Sequence, residues 1–291
     1  MTAAPTCEWA RVAPDEIIVA DARSARLHRP DPIAPDPFRA PMTGPGSVET
    51  TRWLLEGAIA AGLRAARHDA AGLTPPPLDL HRWAWRLCGL YHMTTETPAL
   101  LAEAEARFTH LARPALAAWA ADRRREETGH DRLALRDLRA LGLDPAIVHR
   151  VHPPAARRLV DWFRAAVRDE PLPLGALAYA HTVERLALRF GRAYLDRVLA
   201  ILPRGVDATR CLRVHSAVGT DAGHVDDNIT VVAALPADER ARIALACREV
   251  AWLSSTPPTG GYCDRASLLT MFGSLGASEP GADPKKEWRD G

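Results

Sequence analysis

Apolar residues recur at helical spacing through most of the chain. The first run begins after Ser47 and ends at Gly72, and its apolar positions share one helical face: Trp53, Leu54, Ala58, Ile59 and Leu63. Similar patterns follow at 79–96, 98–140, 154–168, 173–202, 207–233 and 236–255. No alternating strand pattern competes with them. The pattern therefore predicts an all-α, single-domain bundle of about seven to eight helices.

Proline and glycine set the expected boundaries of this bundle. Residues 1–47 are rich in proline and charge, which predicts an irregular N-terminal arm along the surface. Residues 48–277 form the predicted helical domain, and residues 278–291 are expected to be a flexible tail. Pro114 removes a backbone donor within 98–140, so we expect two helices or one kinked helix there.

The charge balance excludes several classes of partner. The 291 residues contain 37 basic and 36 acidic side chains, a net charge of +1, which provides no field for a nucleic acid or an anionic membrane. The N-terminus lacks a basic segment followed by an apolar run, so we expect a cytoplasmic protein without membrane contact.

The five cysteines of the chain are far apart and include no C-x-x-C pair, which favours reduced thiols over disulfides or a zinc ribbon.

Glu127 and His130 are the first candidates for chemistry. Helical bundles build reactive sites from side chains that project inward from facing helices. Three residues apart on a helix, a carboxylate and an imidazole lie about 5–6 Å apart at Cβ and can bind one metal ion. Glu126 is four residues from His130 and competes for the same role.

Glu184 is a second candidate because its neighbours in sequence are largely apolar. A lone buried carboxylate is costly, so Glu184 is near a helix edge, is paired with Arg185 or Arg189, or binds a cation. His181 and Tyr179 are expected to line the same cavity, although backbone contacts would satisfy His181 equally well. Asp137 and Tyr179 are placed to orient metal ligands.

The segment from His215 to Asp227 offers the densest set of metal-binding side chains. His215, Asp221 and His224 lie within ten residues. Nine steps of about 100° place the two histidines on opposite sides of an ideal helix. A loop or π-bulge near Gly219 would bring the three groups to one face, while a polar surface helix remains the alternative.

Together, the three segments resemble the heme-oxygenase-like diiron oxidases and oxygenases, which share a TenA/PqqC-like helical fold. The resemblance implies two Fe(II)/Fe(III) ions, O2 as co-substrate, and six metal ligands: Glu127, His130, Glu184, His215, Asp221 and His224. The third segment has two additional residues between His215 and Asp221, so Asp227 is an alternative ligand. Glu126 is likewise an alternative to Glu127.

The same resemblance implies a non-haem diiron oxygenase or oxidase that acts on a small organic substrate. N-oxygenation of an amine or amino acid in natural-product biosynthesis is weakly favoured over oxidative desaturation or C–C cleavage. A second hypothesis is a metal-free, thiaminase-like or PqqC-like enzyme, in which Cys88 or Cys211 is the nucleophile or a cofactor-like substrate is the reactant. A third is a non-catalytic helical binding module. An electron donor and a homodimer are both compatible with the sequence.

Overall fold

Helices form most of the chain in the computed structural model, which describes residues 7–189, 191–216, 221–259 and 261–275. A 3-10 helix at Pro145–His149 accompanies eleven α-helices in these ranges. The α-helices are α1 (Val48–Asp69), α2 (Leu80–His110), α3 (Pro114–Glu127), α4 (Asp131–Ala140), α5 (Pro154–Arg168), α6 (Gly175–Ala187), α7 (Arg192–Ile201), α8 (Arg210–Val214), α9 (Asp221–Ala233), α10 (Ala237–Ser255) and α11 (Arg265–Phe272). The prediction of an all-α bundle is confirmed.

Local capping explains where the first two helices begin. Ser47 Oγ accepts a hydrogen bond from the Thr50 backbone at 3.2 Å, and Thr50 Oγ1 accepts one from the Ser47 backbone at 3.2 Å. Asp79 caps α2 by accepting from the Arg82 backbone at 2.8 Å. Such caps satisfy backbone donors that a helix leaves unpaired at its start.

Pro114 and Pro98 occupy different positions in the helices. Pro114 starts α3, as its sequence pattern suggests, because the first turn of a helix needs no donor there. Pro98, which was expected to separate two runs, lies inside α2 instead. That helix packs against both α3 and α5, so tertiary contacts compensate for the missing backbone hydrogen bond.

Two predicted helical segments are each divided in the structure. The segment 173–202 contains α6 and α7, and the segment 207–233 contains α8 and α9. His215 and Ser216 lie in a turn that follows α8, so no regular helix continues from α8 into α9. These divisions and α11 raise the number of helices above the expected seven to eight.

A three-stranded antiparallel sheet corrects the prediction of an irregular arm. Its strands are β1 (Glu8–Ala13), β2 (Glu16–Ala20) and β3 (Ala25–His28), in the order β1-β2-β3. Trp9 pairs with Val19, and Ile18 pairs with Leu27. The sequence pattern missed β2 because its last four residues are all buried and do not alternate with polar positions. Residues 29–47 form neither helix nor strand.

A buried ion pair ties this sheet to the helices. Glu8 in β1 lies 2.8 Å from Arg240 Nε in α10, and it accepts a hydrogen bond from Thr51 Oγ1 in α1 at 3.0 Å. Arg240 also donates to the carbonyl of Gly44 at 3.1 Å. The arm is therefore part of the packed structure up to the start of α1. The predicted tail, 278–291, lies outside the described residues.

The packing of the helices leaves a site between α2, α3, α6 and the α8–α9 region. α1 packs against α10, α10 packs against α6, and α6 packs against α9. None of the helices in the described ranges combines the length and the apolar character needed to cross a membrane.

Candidate metal centre

Glu127, His130 and His215 form a compact set of potential metal ligands. One donor atom from each side chain lies within 4.8 Å of the other two. His130 Nδ1 is 3.1 Å from Glu127 Oε2, and the two imidazole rings are 4.8 Å apart at an angle of 77°. Two imidazoles and one carboxylate are a donor set that suits Fe(II) and leaves coordination positions open.

A turn, rather than one helical face, brings Glu127 and His130 together. Helix α3 ends at Glu127, and His130 immediately precedes α4. Between them, Gly129 has a φ of 91°, a left-handed conformation that glycine adopts at little cost. The expected proximity of the pair is observed, but the expectation that both lie on one helix is wrong because Gly129 ends the helical path.

Asp137 fixes the helix that presents His215. The completely buried Asp137 carboxylate accepts hydrogen bonds from the backbone of Arg210 at 3.1 Å and of Cys211 at 2.9 Å, both at the start of α8. Burial raises the pKa of Asp137, and these hydrogen bonds oppose that shift. His215 directly follows α8. Asp137 therefore positions the start of α8, and its role in orienting a metal ligand stays a prediction.

Glu184 and His224 lie close to each other beside this compact set, and we call them the second part of the candidate centre. His224 Nδ1 lies 3.9 Å from Glu184 Oε1, and His224 Nε2 lies 3.7 Å from Glu126 Oε2. Glu126 therefore faces the second part, while Glu127 belongs to the first. Asp221 begins α9, but its side chain lies outside the described residues. The Asp227 carboxylate is largely exposed. It is connected to this part by its ion pair with Arg123.

Arg123 is one of the residues at this centre that the sequence analysis missed. Its side chain is 6% exposed, and Nη1 lies 2.9 Å from Glu126 Oε2 and 3.9 Å from Glu184 Oε1. Nη2 lies 3.4 Å from Asp227 Oδ2. The spacing of Arg123, three and four residues before Glu126 and Glu127, was the available signal, because such residues share a helical face.

A buried hydrogen-bond chain orients Glu184. Trp119 Nε1 donates to Asn228 Oδ1 at 2.8 Å, and Asn228 Nδ2 donates to Glu184 Oε2 at 2.7 Å. Because an indole N–H can only donate, it requires the amide oxygen of Asn228 to face Trp119. The amide nitrogen then faces Glu184, so Oε1 is the oxygen turned towards Arg123 and His224.

Glu127 is held in its charged form. Burial by itself would raise the pKa of Glu127, but the hydrogen bond from His130 and the charges of His215, His130 and His224 together lower it. A carboxylate is the form that binds a metal ion. Glu127 is therefore in the ionised form that metal binding requires.

A largely apolar cavity of about 110 Å³ adjoins both parts of the centre. Tyr179 lines it and stacks on Phe163 with ring centroids 4.1 Å apart. Burial, with the nearby charge of Glu127, raises the pKa of Tyr179, so its hydroxyl stays protonated at neutral pH. The remaining lining residues are Leu90, Met93, Thr94, Thr97, Leu101, Arg123, Glu127, Ala180, Val183, Glu184, Ala187 and His215.

His181 is not among the residues that line this cavity, which corrects the expectation from sequence. The cavity face of α6 centres on Ala180, Glu184 and Ala187. Position 181 is displaced from position 180 by about 100° around the helix. His181 is instead completely buried on another side of α6. Burial lowers its pKa to about 3, with smaller effects from Arg185 and Arg52, so the imidazole is neutral.

Comparison with solved structures identifies the fold. A domain of unknown function with a heme oxygenase-like fold from Shewanella denitrificans OS217 is 20% identical, with a TM-score of 0.52, over 69% of this chain and 87% of that chain. A TenA homolog from Pseudomonas syringae pv. tomato str. DC3000 is 12% identical, with a TM-score of 0.50, over 74% of this chain and 97% of that chain. The fold is therefore heme-oxygenase-like, as the resemblance implied.

Comparison of the sequence with protein families agrees with the donor chemistry of the centre. No curated protein matches the chain. Residues 84–255, which are more than half of the chain, match the iron-containing redox enzymes. This segment includes every residue of the two parts described above. The chain therefore belongs to the family of iron-containing redox enzymes.

Proposed function

We propose that the protein is a non-haem diiron oxygenase or oxidase that uses O2 to oxidise a small organic substrate. The observation that carries the proposal is the compact set of Glu127, His130 and His215, whose donor atoms lie within 4.8 Å of one another beside an apolar cavity. A structural zinc site would favour cysteine ligands and close with four of them, whereas this set contains only imidazole and carboxylate.

Each part of the centre is assigned one iron ion. Glu127, His130 and His215 would hold the first ion. Glu184 and His224 would hold the second, with a further carboxylate from Asp221 or from the alternatives Asp227 and Glu126. When bound, two ferrous ions supply the two electrons that O2 needs in a single turnover. An external electron donor would then return the iron to the ferrous state.

The size and the apolar lining of the cavity favour a small substrate with an aliphatic portion. Its volume of about 110 Å³ is below the roughly 150 Å³ of an apolar cavity that accommodates benzene. Leu90, Met93, Leu101 and Val183 would exclude water from a short alkyl chain beside the metal ligands. We favour N-oxygenation of a small amine or amino acid, and desaturation and C–C cleavage are the alternative reactions at the same centre.

The buried thiols do not favour a cysteine nucleophile, which is one form of the metal-free, thiaminase-like alternative. That chemistry needs a reactive thiolate, and burial raises the pKa of Cys88 to about 12. Burial also raises the pKa of Cys211, with a further contribution from Asp137. Neither cysteine is among the described residues that line the cavity. Both thiols are therefore poorly suited to nucleophilic attack at neutral pH.

The proposal is tested by metal binding and single-turnover oxidation. We expect the purified protein to bind close to two Fe(II) per chain without oxygen. On exposure to O2, it should convert a candidate amine into a product that is 16 mass units heavier. The His130→Ala variant should lose both properties, while His68→Ala, on the exposed end of α1, should retain them. Wild-type protein that binds no Fe(II) at neutral pH would contradict the proposal.

A further inference from the structure

We propose that Arg123 is an internal cation that competes with the second iron ion, so that the two ions bind in a fixed order. The inference rests on the proposed function and concerns how its second metal position is filled. The first ion would bind Glu127, His130 and His215. The second would bind only when the guanidinium of Arg123 gives up its place beside Glu184.

The contacts of Arg123 are those of a counter-cation. Its side chain is 6% exposed and faces three carboxylates, one each from α3, α6 and α9. Nη1 approaches Glu126 at 2.9 Å and Glu184 at 3.9 Å, and these are two carboxylates that also approach His224. Arg123 therefore lies at the same carboxylates that a second metal ion would use.

The cost of burial explains why a cation is needed there. The Glu184 side chain is 8% exposed, and Asn228 neutralises none of its charge. An unpaired buried carboxylate is costly, and so is an unpaired buried guanidinium. Arg123 stabilises Glu184 without metal, and a divalent ion would do the same more strongly. The two cations are therefore alternatives at one oxygen, Glu184 Oε1.

The first part of the centre has a different electrostatic setting. The side chains grouped with Glu127 in this part are imidazoles: His130 Nδ1 lies 3.1 Å from Glu127 Oε2, and one donor atom of His215 lies within 4.8 Å of those of Glu127 and His130. A neutral imidazole can turn a lone pair to a metal ion, whereas a guanidinium has only donors and stays charged. Loading the first position therefore does not require a permanent cation to move.

Asp227 is an alternative ion-pair partner for Arg123 at the edge of the site. Nη2 lies 3.4 Å from Asp227 Oδ2, whose side chain is 71% exposed at the edge of the site. A small rotation of the guanidinium towards Asp227 would release Glu184 and keep one ion pair. The arrangement thus has two states, one with Arg123 at Glu184 and one with a metal ion there.

The test is an anaerobic calorimetric titration with Fe(II). In the wild type, we expect the second ion to bind at least about tenfold more weakly than the first, the scale of one coupled charge pair. Arg123→Gln should strengthen the second binding step by about the same factor and leave the first nearly unchanged. Arg125→Gln is the matched control, because Arg125 pairs with Asp122 on the exposed side of the same helix.

Stability measurements keep the test informative if Arg123→Gln is poorly folded. Without Arg123, the metal-free variant should melt at a lower temperature, and saturating Fe(II) should raise its melting temperature more than that of the wild type. Arg123→Lys, which keeps the charge, should give an intermediate second affinity. Equal affinities for both ions in the wild type, or no change of the second step in Arg123→Gln, would overturn the inference. Failure of the wild type to bind any iron would instead overturn the proposed function itself.

Discussion

At the scale of single residues, Asn228 decides how Glu184 is presented. It is completely buried and joins the Trp119 indole to one oxygen of Glu184. Its amide oxygen accepts the Trp119 hydrogen bond, and its amide nitrogen donates to Glu184 Oε2. The other Glu184 oxygen faces Arg123 and His224. If Glu184 binds the proposed second ion, Asn228 would be a positioning residue for that ligand.

Replacing Asn228 with Leu should affect both folding and metal binding. Leu has a similar size but leaves the Trp119 N–H and Glu184 Oε2 buried without this partner, at a cost of about 1–3 kcal/mol for each group. We expect a lower free energy of unfolding in urea and weaker binding of the second Fe(II). Thr230→Val, at an exposed position of the same helix, should change stability by only about 0.5 kcal/mol or less. A stability close to that of the wild type in Asn228→Leu would contradict this role.

At the scale of secondary structure, α8 is a short helix that depends on a residue from another helix. It spans Arg210–Val214 and its N-cap residue, Thr209, makes no side-chain capping hydrogen bond. Asp137 from α4 supplies the acceptors instead. A helix of this length is unstable by itself, so its position depends on such tertiary contacts. Because His215 directly follows α8, the position of α8 also determines the position of His215.

The Asp137→Asn variant should loosen α8 and displace His215. An amide offers one acceptor oxygen, and its N–H2 would face a backbone donor, so one hydrogen bond is lost and a repulsive contact is created. We expect the free energy of unfolding to fall by about 1–3 kcal/mol and the first Fe(II) to bind more weakly. Asp144→Asn is the control, since the exposed Asp144 caps the 3-10 helix at Pro145–His149. Unchanged binding of the first Fe(II) in Asp137→Asn would show that α8 is held by other contacts.

At the scale of the whole molecule, buried His181 makes stability depend on pH. Among the described residues, neither ring nitrogen of His181 has a hydrogen-bond partner. Burial lowers its pKa from 6.5 to about 3, so the folded state excludes a proton that the unfolded state binds. The stability contribution of neutral His181 is therefore fully present above pH 6.5 and is lost as the pH falls from 6.5 towards 3.

His181→Leu should remove this part of the pH dependence. A single proton gives a slope of at most about 1.4 kcal/mol per pH unit, so the stability difference between variant and wild type should grow steadily below pH 6.5. Urea unfolding of metal-free protein from pH 7.5 to pH 4.5 measures it. The exposed His68, replaced in the same way, should leave the wild-type profile almost unchanged. A constant difference between His181→Leu and wild type would mean that His181 titrates normally.

Much of the helical framework was predictable because its signals are local. The capping box at Ser47 and the cap at Asp79 mark the starts of α1 and α2 by contacts within a few residues. Pro114 marks the start of α3 in the same way. Carboxylates and histidines in an apolar helical chain likewise indicated where to look for a metal centre. The assignment of individual ligands stays a prediction.

The tertiary structure alone decided the features that depend on distant surfaces. Strand β2 has four buried residues in succession because it pairs with two strands and packs on α1, so no alternation revealed it. Helical spacing placed His181 with Glu184, but the cavity face of α6 turned out to exclude it. Arg123 and Asn228 lie at the centre because α3, α6 and α9 converge there, and charge pairs between helices leave no periodic pattern in the sequence. Local propensity determined where the helices of this protein form. The cost of desolvating charged groups between those helices determined which side chains pair at the candidate centre.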